Sequence, residues 1–161
     1  ARQLRNDPEP CVRAGLASNR KVDPTLLRGL AGDPNLGVRW ALAANPNIDE
    51  HTQRQLLAGP DTTVTHTLLR EGNLSDRLCE LVAQTNDRGL WRELHDRDLS
   101  DHQRSIVPCE NLTSRGQHEA RMWLTRHIRD PKTHELAENL LPTWNGTLGE
   151  LARVVTKITT P

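Results

Sequence analysis

The sequence contains no phenylalanine and no tyrosine, a single methionine, three cysteines and no excess of either charge, its 21 basic residues balancing 21 acidic ones. Without net positive charge it lacks the cation surplus on which non-specific nucleic-acid binding depends. Nucleic acid is therefore possible as a partner but disfavoured. The middle of the chain, residues 59–110, is its most acidic part, with ten acidic and six basic residues. No apolar run is long enough for a membrane span, and no secretory signal is present, which argues against a membrane partner. The three cysteines, Cys11, Cys79 and Cys109, lie 68 and 30 residues apart. That spacing offers no C-x-x-C pair for zinc or redox chemistry, and an odd, sparse count suits a reducing cytoplasm. Cys11 and Cys79 are expected to pack as small apolar residues, Cys109 less so because it follows Pro108 in a loop.

What remains to build a core is leucine. Twenty-four leucines with four isoleucines and eight valines make up about a fifth of the 161 residues, enough to exceed the compositional signature of disorder. These residues are not scattered. Asp7-Pro8-x-x-x-Val12-Arg13-x-x-Leu16-Ala17-x-Asn19 is repeated at an offset of 26 as Asp33-Pro34-x-x-x-Val38-Arg39-x-x-Leu42-Ala43-x-Asn45. The same offset aligns Val12, Val38, Val64 and Leu90 in one column, and Leu16, Leu42, Leu68 and Leu94 in a second. A third holds Val22, Ile48 and Leu74, with Leu99 one residue short. A fourth holds Leu4, Leu30, Leu56 and Val82. Internal repetition at this period marks a stacked repeat array.

Each period reads as two short helices. The first carries apolar residues at i and i+4, as in Val38 and Leu42, and stops near Asn19, Asn45 or Gly72, residues tolerant of a left-handed turn. Asp23, Asp49, Ser75 and Ser100 then precede the second helix as N-caps, Ser100 with Gln103 forming a capping box. Glycine and proline at 32–34 and 59–61 mark the return to the next unit. The array is predicted over 1–108, with a tail at 1–5 and units at 6–31, 32–58, 59–83 and 84–108. Residues 109–161 form a degenerate C-terminal cap, with a longer loop at 109–117 and helices near 115–129, 132–141 and 148–158. Capping boxes at Ser114/Gln117 and Thr147/Glu150 open the outer two. Because Leu4 already occupies the fourth column, further repeats are expected upstream of residue 1.

The phrase D-P-x-x-x-V-R-x-x-L-A-x-N-P-N at 33–47 resembles the leucine-rich repeat variant family, related in style to HEAT-type arrays. The resemblance is specific over 4–83, fair to about 107 and weak beyond. It implies an all-α, right-handed solenoid of two-helix repeats that acts as a scaffold rather than a catalyst. Some relatives carry a cysteine cluster for an iron–sulphur centre; this chain has none, so no cofactor is carried over.

The residues themselves offer no reaction. The seven histidines include no H-x-x-x-H pair, so no metal is expected, and no phosphate loop or nucleophile motif is present. Arg13, Arg39 and Arg121 recur beside the core valine column and are read as structural partners of Asp7 and Asp33 rather than a ladder for a polyanion. Solenoids bind along their second helices. Here that face carries Thr25, His51 and Arg77 followed by His102, with Arg28, Arg54, Glu80 and Ser105 in the adjacent row. The candidate binding residues are Arg28, His51, Arg54, Arg77 and His102, together with Trp40 and Trp91 if these are exposed. The predicted function is a non-catalytic scaffold for a protein or peptide partner. One alternative is a nucleic-acid module similar to the HEAT-like alkylpurine DNA glycosylases, which would use Trp91 with Asp96 or Asp98. Another is a structural or capping segment of a larger protein.

Overall fold

A computed structural model describes residues 2–160. It is all-helical, and among the described residues the only strand-like pairing is an isolated antiparallel bridge between Pro108 and Thr147. Among the described residues twelve α-helices are formed: α1 (Arg2–Arg5), α2 (Pro10–Ser18), α3 (Pro24–Leu27), α4 (Leu36–Ala43), α5 (Glu50–Leu57), α6 (Thr62–Glu71), α7 (Asp76–Gln84), α8 (Arg88–His95), α9 (Asp101–Ile106), α10 (Ser114–His127), α11 (Pro131–Leu140) and α12 (Leu148–Thr159). Short 3₁₀ turns continue α3 and α11. Among the described residues no helix is long and apolar enough to cross a membrane. The chain divides into two compact units, Ala1–Leu78 and Cys79–Pro161, the division falling inside α7.

The helices begin where side chains replace the missing intrahelical acceptors. Asp23 accepts from Thr25 N–H, Asp49 from Thr52 N–H and Ser75 from Leu78 N–H, while Ser100/Gln103 and Thr147/Glu150 form reciprocal capping boxes. At α10 the cap is Thr113, which accepts from Gly116 N–H at 3.1 Å. The predicted Ser114/Gln117 box therefore does not form: the cap lies one residue earlier, where Gly116 has no side chain to complete a box, and the loop before α10 ends earlier than expected.

In the first unit, α2 packs on α4, α4 on α6, and α5 on α6. The apolar columns supply these contacts: Val38, Leu42 and Leu68 are fully buried, and Val64, Leu30 and Leu56 nearly so. In the second unit, α10, α11 and α12 enclose Trp123, Leu124, Ala137, Leu148, Leu151 and Val155, with Cys109 packed among them.

Two expectations about single residues are corrected. Asn19 does not end α2 in a left-handed turn, since its φ is −77°, and Gly72 has φ −68°; Asn111 is the one non-glycine residue with positive φ among those described. Gly72 is required instead for close approach, because a Cβ there would sit 2.5 Å from the Leu68 carbonyl oxygen. The cysteines are also reversed in part. Cys11 is exposed, on an open groove that it lines with Gly37 and Trp40 of α4, whereas Cys79 and Cys109 are buried. Burial pushes the Cys109 thiol up to about 12, which leaves it protonated and unreactive at neutral pH.

Polar residues that recur in the sequence tie neighbouring helices of the first unit together. Arg13 donates to the backbone carbonyl of Asp7 at 2.6 Å, and its guanidinium meets the carboxylate of Asp33, 20 residues on, through Nε at 2.7 Å and a second nitrogen at 3.0 Å. Arg39 repeats the arrangement with the Asp33 carbonyl and the Asp61 carboxylate. The arginine thus pairs forward with the next period's aspartate, not with the carboxylate six residues before it. Asp61 serves where strict counting finds Gly59. Asparagine ties run backward: Asn45 Nδ2 donates to the Ala17 carbonyl at 2.7 Å and Asn47 Nδ2 to the Val22 carbonyl at 2.8 Å. If these bonds transmit stability between pairs, Arg13→Ala and Asp33→Ala will be non-additive. The double variant is expected to lose less than the sum of the single losses in urea unfolding, and strict additivity would show the contact to be energetically silent.

Candidate functional site

The second helices of the first unit present a narrow polar ribbon. Asp49 sits between two roles: its Oδ1 caps α5 by accepting from Thr52, and its Oδ2 accepts from Arg28 Nε at 2.6 Å. One turn into α5, Arg54 reaches Glu50 at 3.4 Å. Both pairs are half-exposed on their arginine side. His51 lies between them on the same helix, exposed, and Arg77 is exposed at the start of α7. Arg28 is held by the Asp49 carboxylate at the start of α5 and Arg54 by Glu50 of its own helix, so the ribbon mixes both signs and carries little net charge. Coulomb energy at such exposed pairs is small, on the order of 0–1 kcal/mol, and their effect is to orient side chains rather than to hold the fold.

The ribbon rests on a rigid base. Beneath α5, Gln53 is buried, donating from Nε2 to the Asn73 carbonyl and accepting at Oε1 from Ser75 N–H at 3.4 Å. The Arg13 guanidinium holds the Asp33 carboxyl below its usual range, against the opposing push of burial. The same unit holds a cleft of about 500 Å³ lined by Ala31, Pro34, Arg39, Leu56, Pro60, Asp61 and Val64. Its ionised groups are engaged, Arg39 with the Asp61 carboxylate and the Asp33 carbonyl, and the Asp33 carboxylate with Arg13, and among its lining residues no nucleophile stands beside a base. The cleft was not foreseen from sequence. Its only signal there is that the Gly-Asp-Pro and Gly-Pro-Asp turns, read as punctuation, form its two lips.

The remaining predicted residues are placed elsewhere. Trp40 is 48% exposed on α4, beside the equally exposed Leu36, and is available as an anchor. Trp91 is buried in the second unit and donates its indole N–H to the Val82 carbonyl at 2.9 Å, so it packs rather than binds. The carboxylates near it are also engaged, Asp96 by the Thr113 hydroxyl and Asp98 by Arg115 at 2.8 Å. His102 is exposed on α9 of the second unit, and Arg121 is exposed on α10. Among the described residues no group of three or more His, Cys, Asp or Glu side chains is arranged to hold a metal ion.

Sequence reasoning also missed a buried polar pair in the second unit. Arg104 is 2% exposed, donating to the carbonyls of His95 at 3.2 Å and Arg97 at 2.9 Å and lying 3.7 Å from Glu119. It closes the end of α8. His95 is fully buried beside it, with Nε2 shared between the carbonyls of Val107 at 3.2 Å and Pro108 at 3.1 Å.

This chain matches no family model, no curated protein and no solved structure.

Proposed function

We propose that this chain is a non-catalytic repeat scaffold, an α-solenoid of the leucine-rich repeat variant or HEAT-like kind. On this reading it binds a protein or peptide partner along the exposed face of its second helices. The observation that carries the reading is the alternating ribbon Arg28–Asp49 and Glu50–Arg54, with His51 and Arg77 exposed on the same succession of helices. A polyanion needs several unopposed cations in a row to release counterions, and a ribbon whose arginines already face carboxylates supplies few. A peptide bearing charges of both signs can exchange partners with such pairs, while backbone and apolar contacts add affinity. Trp40 offers a second, aromatic anchor on the first-helix side.

The test uses a displayed library of random peptides selected on the wild-type chain and counter-selected on Arg54→Glu. The substitution puts a third carboxylate beside Glu50 and Asp49, while its exposed site should keep the stability change within about 0.5 kcal/mol. Retained peptides are expected to carry both charge signs and to lose at least about tenfold in affinity on the variant. A library that yields no binder overturns the proposal. So does duplex DNA that binds at low salt and is released steeply at physiological salt, since it would assign the face to nucleic acid.

A further inference from the structure

We propose that the face formed by Leu4, Asp7, Val12, Asn19 and Val22 is a docking surface for one more two-helix unit, one that presents an arginine to Asp7. The inference rests on the repeat-stacking part of the reading above and concerns a different surface from the peptide ribbon.

This face repeats the aspartate turn and the asparagine turn of one that is already covered, the face around Asp33 and Asn45. Asp33 accepts from Asn35 N–H at 2.9 Å, its backbone carbonyl receives Arg39, and its carboxylate receives Arg13. Asp7 has the same turn, accepting from Glu9 N–H at 2.9 Å, and its carbonyl receives Arg13. Among the described residues no arginine meets its carboxylate. Asn45 and Asn19 correspond in the same way. Each side-chain oxygen accepts from the backbone N–H two residues on, at 2.9 Å, but only Asn45 donates its amide, to the Ala17 carbonyl. Asn19 is exposed, and its amide has no donor contact among the described residues.

The apolar columns agree. Leu30 is 1% and Val38 0% exposed, but their counterparts Leu4 and Val12 are 44% exposed and partly buried respectively. The occupant follows from what covers the equivalent face: a helix with the pattern Val-Arg-x-x-Leu-Ala, followed by a second short helix. The chain itself holds a fragment of that second helix, because Arg2-Gln3-Leu4 repeats Arg54-Gln55-Leu56 two periods on. An arginine is demanded at one position and two backbone carbonyls at another, which is more specific than an oily surface alone.

The experiment extends the full chain by a copy of residues 33–52 joined directly ahead of Ala1. This places the copied Arg39 as far before Asp7 as Arg13 stands before Asp33, a separation of 20. The extension is expected to raise the thermal midpoint and to slow amide exchange between Val12 and Val22 by about tenfold or more. Asp7→Asn should remove a clear part of that gain in the extended chain and change little in the unextended one. Arg39→Ala within the copied segment should match it.

An unchanged midpoint with a protease-sensitive extension overturns the proposal. So does an equal effect of Asp7→Asn in both chains, or an extension that abolishes folding, since a fitting unit cannot do so. Dimerisation of the unextended chain that is lost with Asp7→Asn would assign the face to a second copy instead, and would also overturn it. If Arg13 and Asp33 prove uncoupled, stacking itself fails. If they are coupled and the extension is inert, only this docking assignment fails.

Discussion

Leu42→Ala is expected to destabilise the protein by about 2–5 kcal/mol, the range in which a buried leucine leaves a cavity that its neighbours cannot close. Leu42 is fully buried on α4, and α4 is the helix packed on both sides, against α2 and against α6. A void at this position is bounded by three helices, each fixed by ties of its own. Arg13 and Asn45 clamp α2 to the segment around α4, and Arg39 with Asp61 clamps α4 to the start of α6. Those polar clamps resist the small helix shifts by which a core relaxes, so the loss should lie in the upper part of the range. Leu36→Ala on the same helix is the control. Leu36 is 47% exposed, and its truncation should cost less than about 0.5 kcal/mol. Urea unfolding distinguishes them: the midpoint for Leu42→Ala should fall with the slope unchanged. A loss under about 0.5 kcal/mol at Leu42 would mean that the leucine column is not a shared core.

The apolar columns and the caps were legible in the sequence because each is a local rule with a fixed period. A valine or leucine every 26 residues, and an Asp or Ser just before an apolar run, announce themselves without knowledge of distant contacts. The ties between helical pairs were not legible for the opposite reason. Arg13 and Asp33 are 20 residues apart and Arg39 and Asp61 are 22 apart, so no constant offset exposes the pairing, and the nearer aspartate at six residues is a natural but incorrect choice. Asn45 was read as a helix stop because asparagine tolerates left-handed backbone, whereas its amide is used to cap the carbonyl end of the preceding first helix. Of the candidate binding residues, the arginines and His51 are exposed because each lies on a short helix or turn that buries its leucines on one face and leaves the other to solvent. Trp91 did not, because nothing in an indole's sequence neighbourhood says whether its N–H will find a buried carbonyl. Arg104 was missed altogether. An arginine on a short helix reads as solvated, and only the fold brings the end of α8 to it.

The largest expected pH effect belongs to His95. The ring is buried, and its Nε2 lies between the carbonyls of Val107 and Pro108, which fixes the tautomer with the proton on Nε2. Nδ1 is then an acceptor, and it has no hydrogen-bond partner among the described residues. Protonation would place a second donor and a positive charge in a site with no acceptor for it, next to the Arg104 guanidinium. Burial is the main cause, Arg104 adds to it, and the two carbonyls and Asp96 oppose it; together they push the His95 pKa down to about 4. The folded value lies below the unfolded one of about 6.5, so the contribution to stability is complete above pH 6.5 and is lost as the pH falls towards 4. A difference of this size corresponds to about 3 kcal/mol. The Asp33 carboxylate, lowered by Arg13, begins to lose its own contribution only below about pH 4, so the two effects occupy different windows. Urea unfolding from pH 8 to pH 4 should show wild-type stability level down to about pH 6.5 and declining below it. His95→Gln, which keeps an N–H for the 107–108 carbonyls but cannot titrate, should be flatter by about 3 kcal/mol across the same range. Parallel profiles for the two proteins would mean that protonated His95 is accommodated, and that the segment 107–108 opens to water before the ring is charged.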